Sequence, residues 1–280
     1  FYEVLQREIK QVPTLRGKTI VNLFYENSTR TRISFELAEK RLSANPLNFS
    51  ASTSSVKKGE ILRDTIRNIE AMKIDMVVAR HWCPGVPHFL THCTDAVIVN
   101  AGDGAHEHPT QALLDMMTIR RRLGTLDRLK VAIVGDILHS RVARSNAWGM
   151  TAMGMDVTLC GPPTLLPQHH ESLPVRVTDN IYEAVDNAHV VMLLRLQLER
   201  QQGGMFPSIR EYRERYGIDN EKVDSMRDDV LIMHPGPINR GIELASNVAD
   251  GEKSIILDQV TNGVAVRMAV LYLLGGGENA

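Results

Sequence analysis

Residues 24–32 read FYENSTRTR, and this stretch joins an apolar segment to a segment with helical spacing. The segment 19–25 is rich in β-branched and aromatic residues, as buried strands are. In the segment 31–42, apolar residues recur at intervals close to those of a helix. We therefore predict a strand that leads into a helix, with Ser28 at the helix N-cap.

The start of this helix is also a predicted anion site. Unpaired backbone N–H groups and the helix dipole favour a negative charge there. Ser28, Thr29 and Thr31 add hydroxyls, and Arg30 and Arg32 add positive charge. The alternative is an ordinary capped helix with solvated arginines, which leaves the extra hydroxyls and the second arginine unexplained.

Short apolar runs alternate with helical patterns along the chain, which predicts the α/β class with parallel sheets covered by helices. The predicted strands are 20–24, 75–79, 96–100, 130–134, 156–160, 190–194, 230–233 and 254–257. A helix at 110–123 marks a boundary between a first domain, 1–123, and a second, 124–257. The final helix, 258–274, is apolar on much of its surface and must pack against a large partner.

Composition restricts the function classes. The 280 residues are 43% hydrophobic, enough to fill the cores of two domains. The net charge of −1 gives no sign of nucleic acid or an anionic membrane as partner, and no apolar run is long enough to span a bilayer. Cys83, Cys93 and Cys160 are scattered, which argues against a disulfide framework or a thiolate zinc site and fits a reducing cytoplasm.

Several polar motifs follow predicted strands, where open parallel sheets bind ligands. His108 and Gln111 lie in HPTQ, and both can hydrogen-bond to a carbonyl group. A structural loop with solvated histidines is the alternative. A zinc site that uses His106 and His108 would need a further ligand, which the local sequence does not offer.

Arginines occupy three strand ends, at Arg80, Arg141 and Arg195. Guanidinium groups suit bidentate capture of carboxylate or phosphate, so their number implies a substrate with several negative charges. HPGPIN at 234–239 follows another strand, and its carbonyls are candidates to receive an amine. The segment after Gly135 lacks the glycine spacing of a dinucleotide turn.

The loop 52–60, STSSVKKGE, is polar and contains glycine. Such loops are usually solvated, and spacing alone favours that interpretation for Ser54 and Lys58. The functional alternative is that both side chains reach a phosphate.

Taken in order, these motifs resemble those of the aspartate and ornithine carbamoyltransferase family over essentially the whole chain. Residues 24–31 match its carbamoyl-phosphate signature, and HPTQ is its second hallmark. The resemblance implies two domains, each a parallel β-sheet flanked by helices, joined by two interdomain helices, with 258–274 packing back onto the first domain. It also implies a homotrimer with active sites shared between neighbouring chains, and no cofactor or metal.

The reaction implied by the resemblance is transfer of the carbamoyl group of carbamoyl phosphate to the α-amine of L-aspartate, an early step of pyrimidine synthesis. Thr31, Arg80 and His108 would stabilise the oxyanion, and Gln111 would orient the carbamoyl NH₂. Carbamoyl phosphate would be bound by Ser28, Thr29, Arg30, Thr31, Arg80, His108 and Gln111, with Ser54 and Lys58 of the adjacent subunit. Aspartate would be bound by Lys58, Arg141, Arg195, Gln197, Pro235 and Gly236.

Aspartate is favoured over ornithine because Arg195 would repel a cationic side chain, and no cysteine follows His234 to bind one. Two other hypotheses remain at this stage: transfer to another amino acid, and a noncatalytic scaffold that holds a partner subunit. The scaffold is suggested only by the start at Phe1, before which the family usually has a further helix. A regulatory or dihydroorotase-like partner is left open, since no sequence signature identifies one.

Overall fold

The computed structural model describes residues 1–50, 60–168, 173–196 and 208–276. The chain divides into two compact units: the first holds residues 1–110 and those from 261 onward, and the second holds 111–260. None of the helices within the described ranges is long and apolar enough to cross a membrane.

The first unit is built on a four-stranded parallel sheet in the order β2-β1-β3-β4. Its core lies where Val21, Leu23 and Val77 of the sheet pack against buried Ile66 and Ile69 of one helix. The strands are β1 (Thr19–Phe24), β2 (Asn45–Ser50), β3 (Met76–His81) and β4 (Val97–Asp103). The helices are α1 (Tyr2–Gln6), α2 (Thr29–Arg41), α3 (Leu62–Ala71) and α4 (Val86–Thr91).

The second unit is built on a five-stranded parallel sheet. Its strands are β5 (Lys130–Val134), β6 (Asp156–Cys160), β7 (Arg176–Thr178), β8 (Val190–Leu193) and β9 (Leu231–Met233), in the order β7-β6-β5-β8-β9. Its helices are α6 (Arg141–Ala152), α7 (Ile181–Val185), α8 (Ile209–Tyr216), α9 (Asn220–Asp224) and α10 (Ser246–Ala249).

Both faces of the second sheet are buried. Ala132 and Val134 belong to one hydrophobic cluster, whereas Val131 and Ile133 belong to another. Because side chains alternate between the faces of a strand, this division places a core on each side of the sheet. The continuous apolar runs of its strands are the expected sequence pattern for such a sheet.

Two further helices contain the points at which the units divide. Helix α5 (Pro109–Leu123) contains the division after Thr110, and helix α11 (Ile256–Leu274) contains the division after Val260. The chain thus passes from the first unit to the second within α5 and returns within α11. The boundary that we predicted after residue 123 remains a prediction.

The predicted strands at 20–24, 75–79, 96–100, 130–134, 156–160, 190–194 and 230–233 are confirmed with small shifts in their ends. The predicted strand at 254–257 is wrong. Ser254 makes only an isolated bridge to Ile232, and α11 begins at Ile256. Short apolar runs such as this one fit a strand and a buried helix equally well.

Candidate active site

The strand order of the first sheet reverses at β1, since β2 lies on one side of it and β3 on the other. Ligands of open α/β sheets bind beyond the carboxyl ends of strands at such a reversal. Phe24 at the end of β1 lies opposite Arg80 of β3, and Tyr25 donates its backbone N–H to the carbonyl of Arg80 at 2.9 Å. The sheet therefore brings the start of α2 and the end of β3 together.

The N-terminus of α2 is arranged to receive an anion. Ser28 occupies the N-cap position, but its side chain accepts no capping hydrogen bond from the helix. The backbone carbonyl of Ser28 accepts from the N–H of Arg32 at 3.1 Å, so the helix starts regularly without that hydroxyl. Thr29 and Arg30 are exposed, whereas Thr31 is buried. Hydroxyls and backbone N–H groups thus cluster at the positive end of the dipole.

Arg80 is buried next to this helix start, with only 8% of its surface exposed. Its Nη1 donates to the carbonyl of Ala101 at 3.1 Å and lies 3.5 Å from Nε2 of His108. Its Nε lies 3.4 Å from the carboxylate of Glu26. The pairing of β3 with β4 shifts register at this position, and such irregularities redirect side chains.

The loop before His108 is held by a buried carboxylate, Asp103. Asp103 Oδ1 accepts the backbone N–H of Gly85 at 2.7 Å, and Oδ2 lies 2.9 Å from Nδ1 of His106. The backbone N–H of Asp103 donates to the carbonyl of Glu107 at 2.9 Å. His108 itself is buried, so the interpretation of it as a solvated loop residue is wrong. His106 stabilises the loop through its contact with Asp103, whereas His108 contacts Arg80.

His81, next along the chain from Arg80, has a structural role. Its Nδ1 accepts the backbone N–H of Cys83 at 2.9 Å, and its ring lies 5.1 Å from the ring of Tyr25. Burial lowers the pKa of His81 below its ordinary value. A neutral imidazole at this place adds no positive charge beside Arg80.

In the second sheet the strand order reverses at β5, between β6 and β8. Arg141 is the first residue of the helix that follows β5, and Arg195 comes two residues after β8. Arg141 is buried and Arg195 is half-buried. The predicted carboxylate-binding arginines of this unit therefore follow the two strands at the reversal.

A buried acid also shapes the turn between β5 and α6. Asp136 is fully buried, and its Oδ1 lies 2.8 Å from Nδ1 of His139 and accepts the backbone N–H of His139 at 3.2 Å. Ser140 then caps α6 by accepting the N–H of Ala143 at 3.2 Å. These bonds fix the backbone that leads to Arg141.

The loop after β9 is held by a buried histidine and glutamate. Nδ1 of His234 accepts the N–H of Gly236 at 2.8 Å, and its Nε2 lies 3.3 Å from Glu243 Oε1. Glu243 Oε1 also accepts the N–H of Asn239 at 2.5 Å. Gly236 has a φ of +70°, a left-handed backbone that glycine adopts without strain. Pro235 and Gly236 thus lie on a loop fixed at both ends.

Gln111 is buried in the first turn of α5, and its Nε2 donates to the carboxylate of Asp115 at 2.9 Å. Ser54, Lys58 and Gln197 lie outside the described residues. Among the described residues, no group of three His, Cys, Asp or Glu side chains is arranged to hold a metal ion.

Sequence reasoning missed the acids that support the site: Asp103, Asp115, Asp136 and Glu243. Asp103 is the last residue of β4 and Asp136 comes two residues after β5, and each precedes a histidine by three positions. This spacing is a local signal that the sequence contains. Asp115 lacks a comparable signal, because two of its partners, Asn146 and Gln259, are distant from it in sequence. Glu243 lies in a loop, and its partner His234 is not at a spacing typical of a local motif.

Two family descriptions match the chain. Aspartate/ornithine carbamoyltransferase, carbamoyl-P binding domain, matches residues 2–121, and aspartate/ornithine carbamoyltransferase, Asp/Orn binding domain, matches residues 127–274.

Similar curated proteins include the aspartate carbamoyltransferase catalytic subunit of Syntrophotalea carbinolica, 58% identical over 99% of this chain and 89% of that protein. The subunit of the same name from Christiangramia forsetii is 60% identical over 98% of this chain and 88% of that protein.

Solved structures are also similar. Aspartate transcarbamoylase from Trypanosoma cruzi, in complex with carbamoyl aspartate and phosphate, has a TM-score of 0.85 at 31% identity and covers 97% of this chain and 88% of its own. Ornithine carbamoyltransferase from Pyrococcus furiosus has a TM-score of 0.87 at 28% identity and covers 99% of this chain and 90% of its own. Since both backbones match well, the backbone alone does not separate the two acceptor amino acids.

Proposed function

We infer that this chain, which belongs to the aspartate/ornithine carbamoyltransferase family, is an enzyme that carbamoylates L-aspartate. Carbamoyl phosphate and L-aspartate are its substrates, and N-carbamoyl-L-aspartate and phosphate are its products, an early step of pyrimidine synthesis. The observation that carries this proposal is the contact between Arg80 and His108, at 3.5 Å, beside the start of α2. A phosphate-binding helix terminus next to two carbonyl-binding groups suits an acyl phosphate.

Carbamoyl phosphate binds through its phosphate at the start of α2. Ser28, Thr29 and Thr31 supply hydroxyls and backbone N–H groups, and Arg30 supplies charge-assisted hydrogen bonds. Arg80 bridges the phosphate and the carbonyl group. Ser54 and Lys58, outside the described residues, enter from a neighbouring chain.

The α-amine of aspartate attacks the carbamoyl carbon, which gives a tetrahedral oxyanion that then expels phosphate. Thr31, Arg80 and His108 stabilise this oxyanion, and one such donor is typically worth about 2.7–4 kcal/mol in the transition state. Gln111 orients the carbamoyl NH₂. The reaction needs no cofactor, because proximity and charge placement supply the catalysis.

Aspartate binds through its two carboxylates to Arg141 and Arg195, with Gln197 and Lys58 outside the described residues. The backbone around Pro235 and Gly236 receives its amine. The arginines exclude ornithine as acceptor, because a cationic side chain near a guanidinium is repelled and lacks a partner. This charge argument, with the high identity to relatives named aspartate carbamoyltransferase catalytic subunit, favours aspartate as the acceptor.

We propose a cytoplasmic homotrimer with active sites shared between chains. The free cysteines Cys83, Cys93 and Cys160 fit a reducing compartment. The relatives named catalytic subunits support assembly with other chains, and a regulatory or dihydroorotase-like partner is one such chain.

The test is formation of ureido product from carbamoyl phosphate, with L-aspartate and L-ornithine as parallel acceptors. Product with aspartate alone is expected, and product with ornithine alone would contradict the assignment of acceptor. Product with neither would contradict the enzymatic assignment.

The phosphate assignment is tested by Arg30→Ala, with Lys40→Ala at the other end of α2 as control. Arg30 and Lys40 are both exposed, so neither change should affect the fold appreciably. We expect Arg30→Ala to lower kcat/KM at least about a hundredfold, since a charged phosphate contact is lost. Near-normal activity of Arg30→Ala would contradict the phosphate assignment.

A further inference from the structure

A buried carboxylate in α5 joins two parts of the second unit that the proposed reaction uses. Asp115 is fully buried, and its Oδ1 accepts from Nε2 of Gln111 at 2.9 Å and from Nε2 of Gln259 at 2.8 Å. Its Oδ2 accepts from Nδ2 of Asn146 at 2.8 Å. Three side-chain amides from three helices therefore converge on one carboxylate.

This arrangement determines which way the amide of Gln111 faces. Gln111 and Asp115 are four residues apart in α5, a spacing that places both side chains on one face of the helix. A carboxylate oxygen accepts hydrogen bonds, so the NH₂ end of the glutamine must face it and the Oε1 end must face away. Oε1 is the end that a carbamoyl NH₂ group requires, because an NH₂ group donates.

The same carboxylate controls the loop after β9 through Gln259. Since Nε2 of Gln259 donates to Asp115, its Oε1 faces the other way and accepts the backbone N–H of His234 at 2.9 Å. His234 precedes Pro235 and Gly236, whose backbone receives the aspartate amine in the proposed function. Gln259 and His234 are both buried, so water does not substitute for these bonds easily.

We propose that Asp115 is a positioning residue for both substrates: it sets the amide of Gln111 to recognise the carbamoyl NH₂, and through Gln259 it sets the loop that receives the aspartate amine. This inference rests on the proposed function. Asp115 touches neither substrate and acts only through the two glutamines.

Acetyl phosphate provides the sharpest probe, since it replaces the carbamoyl NH₂ with a methyl group and keeps the phosphate and carbonyl. A Gln111 amide held with Oε1 toward the NH₂ favours carbamoyl phosphate over acetyl phosphate. The preference is measured as the ratio of the acetyl phosphate inhibition constant to the dissociation constant of carbamoyl phosphate. General disruption of the site would weaken both ligands alike, whereas loss of amide orientation lowers the ratio.

Asp115→Leu removes the acceptor for both glutamines and keeps the branched shape of the side chain. We expect the ratio to fall about three- to tenfold, which corresponds to one hydrogen bond between neutral groups. Asp115→Asn keeps one acceptor oxygen, and the amide of Asn146 can rotate to accept from the new NH₂ group. The ratio should therefore remain close to wild type in Asp115→Asn, as a rescue by the conservative change.

Gln259→Leu separates the two proposed effects of Asp115, which are the orientation of the Gln111 amide and the position of the loop after β9. It leaves the bond between Gln111 and Asp115 intact, so the ratio should stay unchanged while KM for aspartate rises about three- to tenfold. Asn146→Ala is the matched control, because it removes a donor to the same carboxylate without touching either glutamine. It should lower the unfolding temperature and leave both the ratio and KM for aspartate unchanged.

The inference would be overturned if Asp115→Leu folds and keeps the wild-type ratio. It would also be overturned if Asp115→Leu and Asn146→Ala each weakened carbamoyl phosphate and acetyl phosphate by the same factor. If Asp115→Leu does not fold, Asp115→Ala gives the same readout, because alanine also lacks an acceptor and its smaller side chain cannot overpack the site. Wild-type protein is assayed in parallel to separate failure of the proposed function from failure of the role of Asp115. If wild type forms no ureido product, the proposed function is contradicted. If wild type forms product but the variants keep an unchanged ratio, only the role of Asp115 is contradicted.

Discussion

At the scale of single residues, acids determine how Arg80 and the loop before His108 are held. Glu26 lies 3.4 Å from Nε of Arg80, and Asp103 holds the loop before His108. A buried guanidinium without a nearby acceptor is costly, so Glu26 lowers the cost of keeping Arg80 in the site before substrate binds. In the proposed function, the substrate phosphate then adds negative charge next to a guanidinium that is already in place.

Another buried acid, Glu39 in α2, lowers the stability of the protein when its carboxyl group is ionised. It is fully buried and accepts a hydrogen bond from Nδ2 of Asn22 at 2.9 Å. Burial raises the pKa of Glu39 to about 7, and the bond from Asn22 only partly offsets this effect. The folded protein thus holds the proton more tightly than the unfolded chain does, and stability is lost as the pH rises from about 4.5 through about 7.

We predict that Glu39→Gln stabilises the protein above pH 8 by up to about 3 kcal/mol and has little effect below pH 4.5. The amide removes the charge and can still pair with Asn22. Urea unfolding of both proteins at several pH values measures the difference.

Glu36→Gln on the same helix is the control. Hydrogen bonds from Lys40 and Asn48 lower the pKa of Glu36, so its stabilising contribution is present at high pH and is lost as the pH falls. The control should therefore be slightly less stable than wild type at pH 8. A stability gain that is the same at all pH values in Glu39→Gln would contradict the explanation by charge.

At the scale of elements, the start of α2 differs from the start of α8. Ser208 caps α8 by accepting the N–H of Glu211 at 3.1 Å, whereas the side chain of Ser28 accepts no capping bond. The two serines occupy the same helix position, but only the side chain of Ser208 caps its helix. The hydroxyl of Ser28 is directed to ligand binding in the proposed function.

Ser28→Ala should therefore cost less than about 0.5 kcal/mol of stability, while Ser208→Ala should cost about 1 kcal/mol, a typical value for a lost N-cap. The opposite ranking is expected for binding of carbamoyl phosphate, which Ser28→Ala weakens and Ser208→Ala leaves unchanged. Thermal unfolding and ligand titration of both variants measure the two rankings. A larger stability loss in Ser28→Ala would assign that residue to capping.

Two strands, β2 and β7, were not predicted from the sequence, and both are edge strands. β2 has the sequence NPLNFS, and asparagine and proline are depleted in strands, but proline is tolerated at an edge. β7 has only three residues. Both strands lie at the edge of their sheets, and the described side chains of both are exposed or only half-buried. Neither strand therefore has the continuous apolar pattern of the central strands.

At the scale of the whole molecule, the chain leaves the first unit within α5 and returns to it within α11. Arg267 in the returning part of α11 donates to the hydroxyl of Ser34 at 2.9 Å, and its guanidinium lies 5.2 Å from the ring of Phe35. These contacts attach the end of the chain to α2, the helix that begins at the proposed phosphate site. Residues more than two hundred positions apart in sequence are thus neighbours in the first unit.

The proposed sharing of active sites between chains leads to a test by mixing. Lys58→Ala and Arg30→Ala chains should each be inactive alone and should recover activity together, because a site with an intact Arg30 can receive an intact Lys58 from its neighbour. An equal mixture should reach roughly a quarter of wild-type activity, since half of the sites have Arg30 and half of their neighbours have Lys58.

Activity is measured after subunit exchange has been verified, and mixtures of each variant with itself are the controls. Absence of recovery would contradict shared sites. A mass of three chains in light scattering is expected for each variant, because neither substitution is designed to affect assembly.

The sequence by itself determined the α/β class, most of the central strands and the motifs at their ends, because each of these is encoded within a few neighbouring residues. Periodicity identifies a buried strand, and a polar motif after it marks a site. The resemblance of those motifs to a known family then indicated the reaction. Arg80 and His108 were both predicted as site residues in this way, although neither motif showed that their side chains lie 3.5 Å apart.

Only the tertiary structure decided which side chains hold the site in place. Asp115 contacts Asn146 and Gln259, and Gln259 contacts the backbone of His234, across separations of up to 144 positions. Local patterns carry no information on such pairs, because a buried carboxylate is stabilised by whichever donors the fold brings to it. The physical reason is that burial and hydrogen bonding of polar groups depend on the packing of elements distant in sequence.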